Sequence, residues 1–275
     1  MREYSTHVNR DRRCPRRVLV LLFAEVALLA VCGCSREVTH EGRPIEYWVT
    51  QMTSPDSAAR HRAIEAFAHD AGQSPLAARA LLAVLSTEQE ADIHATIADA
   101  LGVLGSNALE TAPALVRLLG DEHELVRVRA ATALGNIGTT SPLVVPALTR
   151  ALADDDHDVR AAASAALGHV GVAAAAAVPA LATIVATDRI WFVRLQATKA
   201  LGLIHAQPDI AVPVLAASLR TDWPTLREAA LEALARYGRA AASVSGAIRA
   251  ASRDSSLEVR ASAIRALAAV TQRSP

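Results

Sequence analysis

The residues of this chain with the most chemical potential are its nine histidines, three cysteines and single lysine. The cysteines, Cys14, Cys32 and Cys34, all lie near the N-terminus, so the body of the chain can form neither an internal disulfide nor a thiolate metal site. Lys199 sits in no Gly-rich loop, which removes the phosphate-cradling reading. There is no HExxH helix and no cysteine nucleophile beyond residue 34. Ser164 and Ser218 occupy helical positions as small packing residues. His123 and His157 hold roughly equivalent turn positions and can meet a stray cation, but solvated turn histidines are the simpler reading. No catalytic residue, metal ligand or cofactor is assigned.

The largest polar feature is a column of arginines. Arg60, Arg127, Arg160, Arg194, Arg227 and Arg260 recur in register, with His94 in the second place, and Glu88, Asp121, Asp154, Asp188 and Asp254 recur six residues before the matching base. Guanidinium and carboxylate groups in register can form a ladder joining neighbouring turns, since arginine suits planar bidentate pairing. An anion-binding row is the alternative. The near match of acids to bases favours a structural ladder of Arg127, Arg160, Arg194, Arg227 and Arg260 with Asp121, Asp154, Asp188 and Asp254.

Basic and acidic residues number 28 each; residues 1–33 hold six of the former and three of the latter, which leaves 22 against 25. No basic block follows Arg17. A near-neutral body without a concentrated positive surface argues against a nucleic-acid partner.

The elements that position the column emerge from self-similarity. An Ala-Leu-Gly-like unit recurs with its large residue at Phe67, Leu101, Leu134, Leu167, Leu201, Leu234 and Leu267, at spacings of 34, 33, 33, 34, 33 and 33. So regular a period is the signature of a stacked array. Apolar or small residues eight, four and one before each of these positions fall on one helical face, which predicts an amphipathic second helix in every unit. Upstream, Leu82, Leu115, Leu148, Leu181, Leu215 and Ile248 mark a shorter first helix, and Pro113, Pro146, Pro179 and Pro213 fall near its start or just inside it. Acidic turns such as Gly120–His123 and Asp154–His157 separate the two and can cap the second helix. Gly105, Gly138, Gly171 and Gly238 are placed to end units. With 52% hydrophobic and 3% aromatic residues, much of the apolar share alanine, close-packed helices are favoured over sheets.

The stretches Asp121…Val126-Arg127…Ala133-Leu134-Gly135-Asn136-Ile137-Gly138 and Asp154…Val159-Arg160…Ala166-Leu167-Gly168-His169-Val170-Gly171 resemble the short HEAT-like repeats of many bacterial proteins and of phycobilisome lyases. Ankyrin and tetratricopeptide signatures do not occur. The resemblance implies an all-α, right-handed α-solenoid of about seven helix-turn-helix repeats of about 33 residues, with units near 45–72, 73–105, 106–138, 139–171, 172–205, 206–238 and 239–271 and a tail at 272–275. For function it implies a scaffold, with HEAT-like enzymes or enzyme subunits of the phycobilin lyase or deoxyhypusine hydroxylase type as the alternative. The hydroxylase holds iron with repeated His-Glu pairs on facing helices. The pairs here, His40-Glu41 and His123-Glu124, stand one in a tether and one in a turn, and do not build such a site. Tyr47, Trp48 and Phe67 in the first unit and Ser243, Ser245 and Thr271 in the last depart from the consensus as capping units should.

Before the repeats, Arg10, Arg12, Arg13, Arg16 and Arg17 precede an apolar run from Val18 to Val31, the charged and hydrophobic regions of a secretory signal. At fourteen residues the run is short for a membrane span. Val31-Cys32-Gly33-Cys34-Ser35 resembles the lipobox of bacterial lipoproteins, with Cys34 as acceptor because Gly33 precedes it. This predicts a signal peptide over 1–33, a lipidated Cys34 and a tether over 34–44. An ordinary cleaved signal or a short anchor is the alternative. Ser35 in place of aspartate implies, by the same resemblance, sorting to the outer membrane where the cell has one. The expected location is the cell envelope, lipid-anchored after export.

One place departs from the charged turns. Trp191-Phe192 and Trp223-Pro224 stand where the third and fourth units carry His123, Glu124, His157 and Asp158. Units stacked roughly 10 Å apart bring these rings to one edge. As exposed anchors they make Trp191, Phe192 and Trp223 a protein-binding site; folded down over the turns, they only cover the core. The expectation is a non-catalytic scaffold or adaptor that binds a protein partner.

Overall fold

A computed structural model describes residues 39–40, 43–70, 75–105, 110–138 and 141–271. The expectations for the signal peptide, Cys34 and the 272–275 tail lie outside the described residues. Among those described, the chain is an all-α solenoid of helical hairpins. The pairs are α1 (Ile45–Gln51) with α2 (Ser57–Asp70), α3 (Pro75–Leu85) with α4 (Ala91–Leu104), α5 (Ala112–Leu118) with α6 (Glu124–Ile137) and α7 (Val144–Ala151) with α8 (His157–Val170). They continue as α9 (Val178–Thr187) with α10 (Trp191–Ile204), α11 (Pro208–Ser218) with α12 (Pro224–Tyr237) and α13 (Ser245–Ala251) with α14 (Leu257–Thr271). A two-residue antiparallel ladder, Thr39–His40 (β1) against Arg43–Pro44 (β2), precedes them.

The repeat residue explains the core. Phe67, Leu101, Leu134, Leu167, Leu201 and Leu234 are buried, and Leu267 is half-buried. Consecutive second helices form the most extensive packing, α4 on α6, α6 on α8, α8 on α10 and α12 on α14. The reason the unit reads Ala-Leu-Gly is a close approach. A Cβ on Gly135 of α6 would stand 2.7 Å from the Ala166 Cβ of α8, and one on Gly202 2.8 Å from the Ala233 Cβ. Glycine in one helix receives alanine from the next, and any larger side chain forces the helices apart.

The unit ends follow backbone chemistry. Gly138 ends α6 at φ +79°, a left-handed conformation that glycine adopts without a Cβ penalty. In the fifth unit His205 takes this role at φ 49°, its ring centroid 5.0 Å from that of Tyr237. The Tyr237 hydroxyl spans the Leu201 carbonyl at 3.1 Å and the Ala206 carbonyl at 2.8 Å, and burial raises its pKa to about 12.

The stretch His157–Thr187 is long and apolar enough to cross a membrane by length and composition. Here it comprises α8, a 3₁₀ segment at Gly171–Ala177 and α9, with Val159, Leu167, Val178 and Leu181 in the core. The ends of the array differ. Trp48 is buried beside a half-buried Tyr47, their rings edge to face at 5.1 Å, whereas Leu257 and Ile264 of α14 are 66% and 63% exposed.

Candidate functional site

The ladder forms with an offset of one unit. Arg127 donates from Nε and Nη2 to both Asp154 carboxylate oxygens at 2.9 Å, Arg160 to Asp188 at 2.7 and 3.3 Å, and Arg227 to Asp254 at 2.8 and 2.7 Å. Each base thus comes from one second helix and each acid from the turn of the following unit. The remaining terminal nitrogen is used at home: Arg127 Nη1 donates to the Asp121 and Glu122 carbonyls, and Arg160 Nη1 to those of Asp154 and Asp155. Arg60 gains a second carboxylate, reaching Glu88 at 2.9 Å and Glu90 at 2.8 Å. In the second rung the His94 Nδ1 stands 3.6 Å from Asp121.

The acids have a further role that differs from the expected one. Helix capping by an acid holds for α8, where Asp156 Oδ1 accepts from the Asp158 and Val159 amides. His123, Ile190 and Trp223 at the N-caps of α6, α10 and α12 make no such bond. The column acids cap the turn instead. Asp121, Asp154, Asp188 and Asp254 each accept the amide two residues on, at 2.9 Å. One carboxylate therefore fixes its own turn and holds the previous unit. The Arg227 hydrogen bond keeps the Asp254 carboxyl below its usual pKa against partial burial. For Asp188, burial pushes upward, and the Arg160 and Ile190 hydrogen bonds outweigh it to leave the pKa lowered.

The rung at Arg194 is open. The following unit offers Thr221 where the others offer a carboxylate, and Arg194 turns away: its Nε donates to the Val185 carbonyl at 2.9 Å and its guanidinium lies over the Trp223 ring, 5.6 Å from the centroid. Among the described residues Arg260 bonds its own turn, the Asp254 and Ser255 carbonyls.

The aromatics gather around the open rung. Trp191 is 42% and Trp223 38% exposed, so each ring is mostly covered but keeps a wet face. Phe192 meets Trp191 edge to face at 6.4 Å and His157 of the preceding unit at 5.4 Å. Beside them a hollow of about 450 Å³ is lined by His157, Arg160, Asp188, Arg189 and Ile190. Asp156, His157 and Asp158 bring potential ligand atoms close together, but Asp156 is the α8 cap and the other two are exposed, 3.3 Å apart.

A second region lies on the second helices, the face that would carry recognition if the tryptophans only covered the core. A groove of about 700 Å³ crosses α2, α4 and α6, lined by His61, Glu65, Asp92, Thr96, Asp99 and Arg129 among others. Its polar groups largely answer one another: Asp99 meets Arg129 at 3.4 Å, and His61 meets Glu65 at 3.4 Å and Thr96 at 3.0 Å. Partial burial raises the Asp99 pKa, with Arg129 opposing and Glu65 reinforcing the shift. The signal was present as charges on exposed second-helix positions, but only stacking reveals that they share a groove.

Comparison with known proteins places this geometry in a family. The HEAT-repeat model matches residues 78–168 and again 145–235, which together span more than half of the chain. The chain belongs to the HEAT-repeat proteins. No curated protein matches it. Among solved structures, the engineered protein of Northeast Structural Genomics Consortium target OR497 is 21% identical over 98% of this chain and 76% of its own, with a TM-score of 0.56. That of target OR329 is 23% identical over 82% and 96%, with a TM-score of 0.50. The CpcE–CpcF complex of phycocyanin lyase from Nostoc sp. PCC7120 is 22% identical over 57% and 98%, with a TM-score of 0.47. At these identities the likeness to the two engineered proteins is one of fold.

Proposed function

We propose that this protein is a non-catalytic scaffold or adaptor of the cell envelope, held at a membrane through a lipid on Cys34, which presents the turn edge of its fifth and sixth units to a protein partner. The observation that carries the reading is the use of tryptophan. The chain has three, and the two in these turns keep exposed faces on an edge that the third and fourth units line with charge. Partly exposed tryptophan beside arginine is the composition of interface hot spots. The Arg160–Asp188 pair braces the turn that carries Trp191, so that anchor is held with little ordering cost on binding.

The recognition half is tested by replacing Trp191 and Trp223 together with Ser. Partner capture should weaken while helical signal and melting temperature hold; a large loss of stability with capture preserved overturns it. The anchoring half is tested by Cys34→Ala, which should release the chain from the membrane fraction. Retention after a carbonate wash points to an uncleaved anchor. Purified protein carrying a bound chromophore or redox metal would overturn the non-catalytic reading.

A further inference from the structure

We infer that the edge around Arg194 recognises an acidic segment of the partner: an Asp or Glu carboxylate seated on the Arg194 guanidinium, with a neighbouring apolar side chain against Trp191 and Trp223. The inference rests on the protein-binding reading above and adds what the partner must carry.

The array itself supplies the template. At Arg60, Arg127, Arg160 and Arg227, Nε and Nη2 take carboxylate oxygens from the following unit. At Arg194 the corresponding residue is Thr221, and its polar atoms are already engaged. Its carbonyl accepts from Arg227 Nη1 at 2.8 Å and its hydroxyl donates to the Ser218 carbonyl at 3.0 Å. Asp188, the acid of the same turn, is held by Arg160 and by the Ile190 amide. Arg194 therefore uses one N–H, on Val185; its two terminal nitrogens make no hydrogen bond among the described residues, and Asp188, bonded to Arg160, acts on it only through charge. A half-buried guanidinium beside an indole face is poorly hydrated, and a planar carboxylate is the group that satisfies it in two bonds.

Charge along the edge agrees. With its column base the third turn carries Asp121, Glu122 and Glu124 against Arg127, and the fourth Asp154, Asp155, Asp156 and Asp158 against Arg160. Around the open rung stand Arg189, Arg194 and Arg220 against Asp188, already paired, and Asp222. The edge changes sign where the tryptophans appear. An acidic segment is repelled by the earlier turns and attracted here, which gives the site its register.

The test selects phage-displayed random dodecapeptides on the full-length protein and measures the winners by fluorescence polarisation. Peptides lost on replacing both Trp191 and Trp223 with Ser should be enriched in Asp or Glu beside an apolar residue, and changing that acid to its amide should weaken binding at least tenfold. Arg194→Gln should do the same, with no more loss of melting temperature than its Trp223 contact and Val185 bond account for. Thr221→Asp fills the rung from within, so it should raise the melting temperature and weaken binding. Tryptophan-dependent peptides that lack an acid and bind the Thr221→Asp variant equally well overturn the acidic partner while leaving the aromatic site standing. Failure to recover any tryptophan-dependent peptide overturns both.

Discussion

The Arg194 guanidinium lies over the Trp223 ring, and this contact replaces an ion pair: Arg127, Arg160 and Arg227 each hold an aspartate of the next unit where Arg194 holds none. A cation over an indole contributes about 0.5–2 kcal/mol. A hydrogen bond to a charged group contributes about 1.5–3 kcal/mol. The fifth junction is therefore more weakly bridged than its neighbours.

Removing a closed rung should cost stability without touching recognition. Arg160 braces Asp188 and the carbonyls of Asp154 and Asp155. Arg160→Ala leaves both carbonyls without that donor and Asp188 with the Ile190 amide alone, and should destabilise the chain by about 3 kcal/mol. Chemical denaturation measures this, and peptide binding at the tryptophan edge should be unaltered.

The ladder should also set the acid limit of stability. Asp188 and Asp254 have lowered pKa values in the folded chain. A depressed folded pKa gives a contribution that is present above the unfolded value, about 3.9, and is lost as pH falls through the folded one. The melting-temperature gap between the wild type and Asp254→Asn should therefore be wide at neutral pH and close below about pH 4. A gap unchanged at pH 3 would show that Asp254 contributes through shape rather than charge.

Glycine in the repeat is a packing requirement. Gly135→Ala drives a methyl to within 2.7 Å of the Ala166 Cβ and 2.8 Å of its Cα. Intrinsic helix propensity favours alanine by about 1 kcal/mol. Overpacking costs about 1–3 kcal/mol and should win, because the obstruction includes backbone. Thermal melting of the two proteins settles the sign.

One buried hydroxyl in the fifth unit lacks a partner. The Thr198 Oγ1 is enclosed without a hydrogen bond, whereas Ser164 one unit earlier donates to the Arg160 carbonyl at 2.8 Å. Thr198→Val should raise stability by about 1 kcal/mol, since it removes an unsatisfied polar group at nearly constant shape. The equilibrium denaturation midpoint reports it.

What could be read from the residues was what repeats at one fixed interval. The Leu101–Leu134–Leu167 spacing, the alanine before each and Gly138 after its helix carry the hairpin fold locally. The ladder's members were legible for the same reason, but not their pairing. Arg127 is six residues from Asp121 and 27 from Asp154; it takes the carbonyl of the first and the carboxylate of the second, a choice made by how units stack. Glu90 on Arg60, Tyr237 on Leu201 and the Asp99–Arg129 groove depend on that stacking too. The edge tryptophans showed as a break in the pattern, but their cover by Arg194 and Phe192 needed coordinates.

The offset between base and acid gives the array a direction. Cations point towards the C-terminal unit and anions back towards the N-terminal one, so a junction is sealed only when an arginine end meets an aspartate end. The first unit has Ser54 in the acid position, and its hydroxyl already accepts the Asp56 amide. A junction therefore depends on which unit follows which: exchanging units would leave a rung open wherever the one carrying Ser54 or Thr221 in the acid position came to follow an arginine.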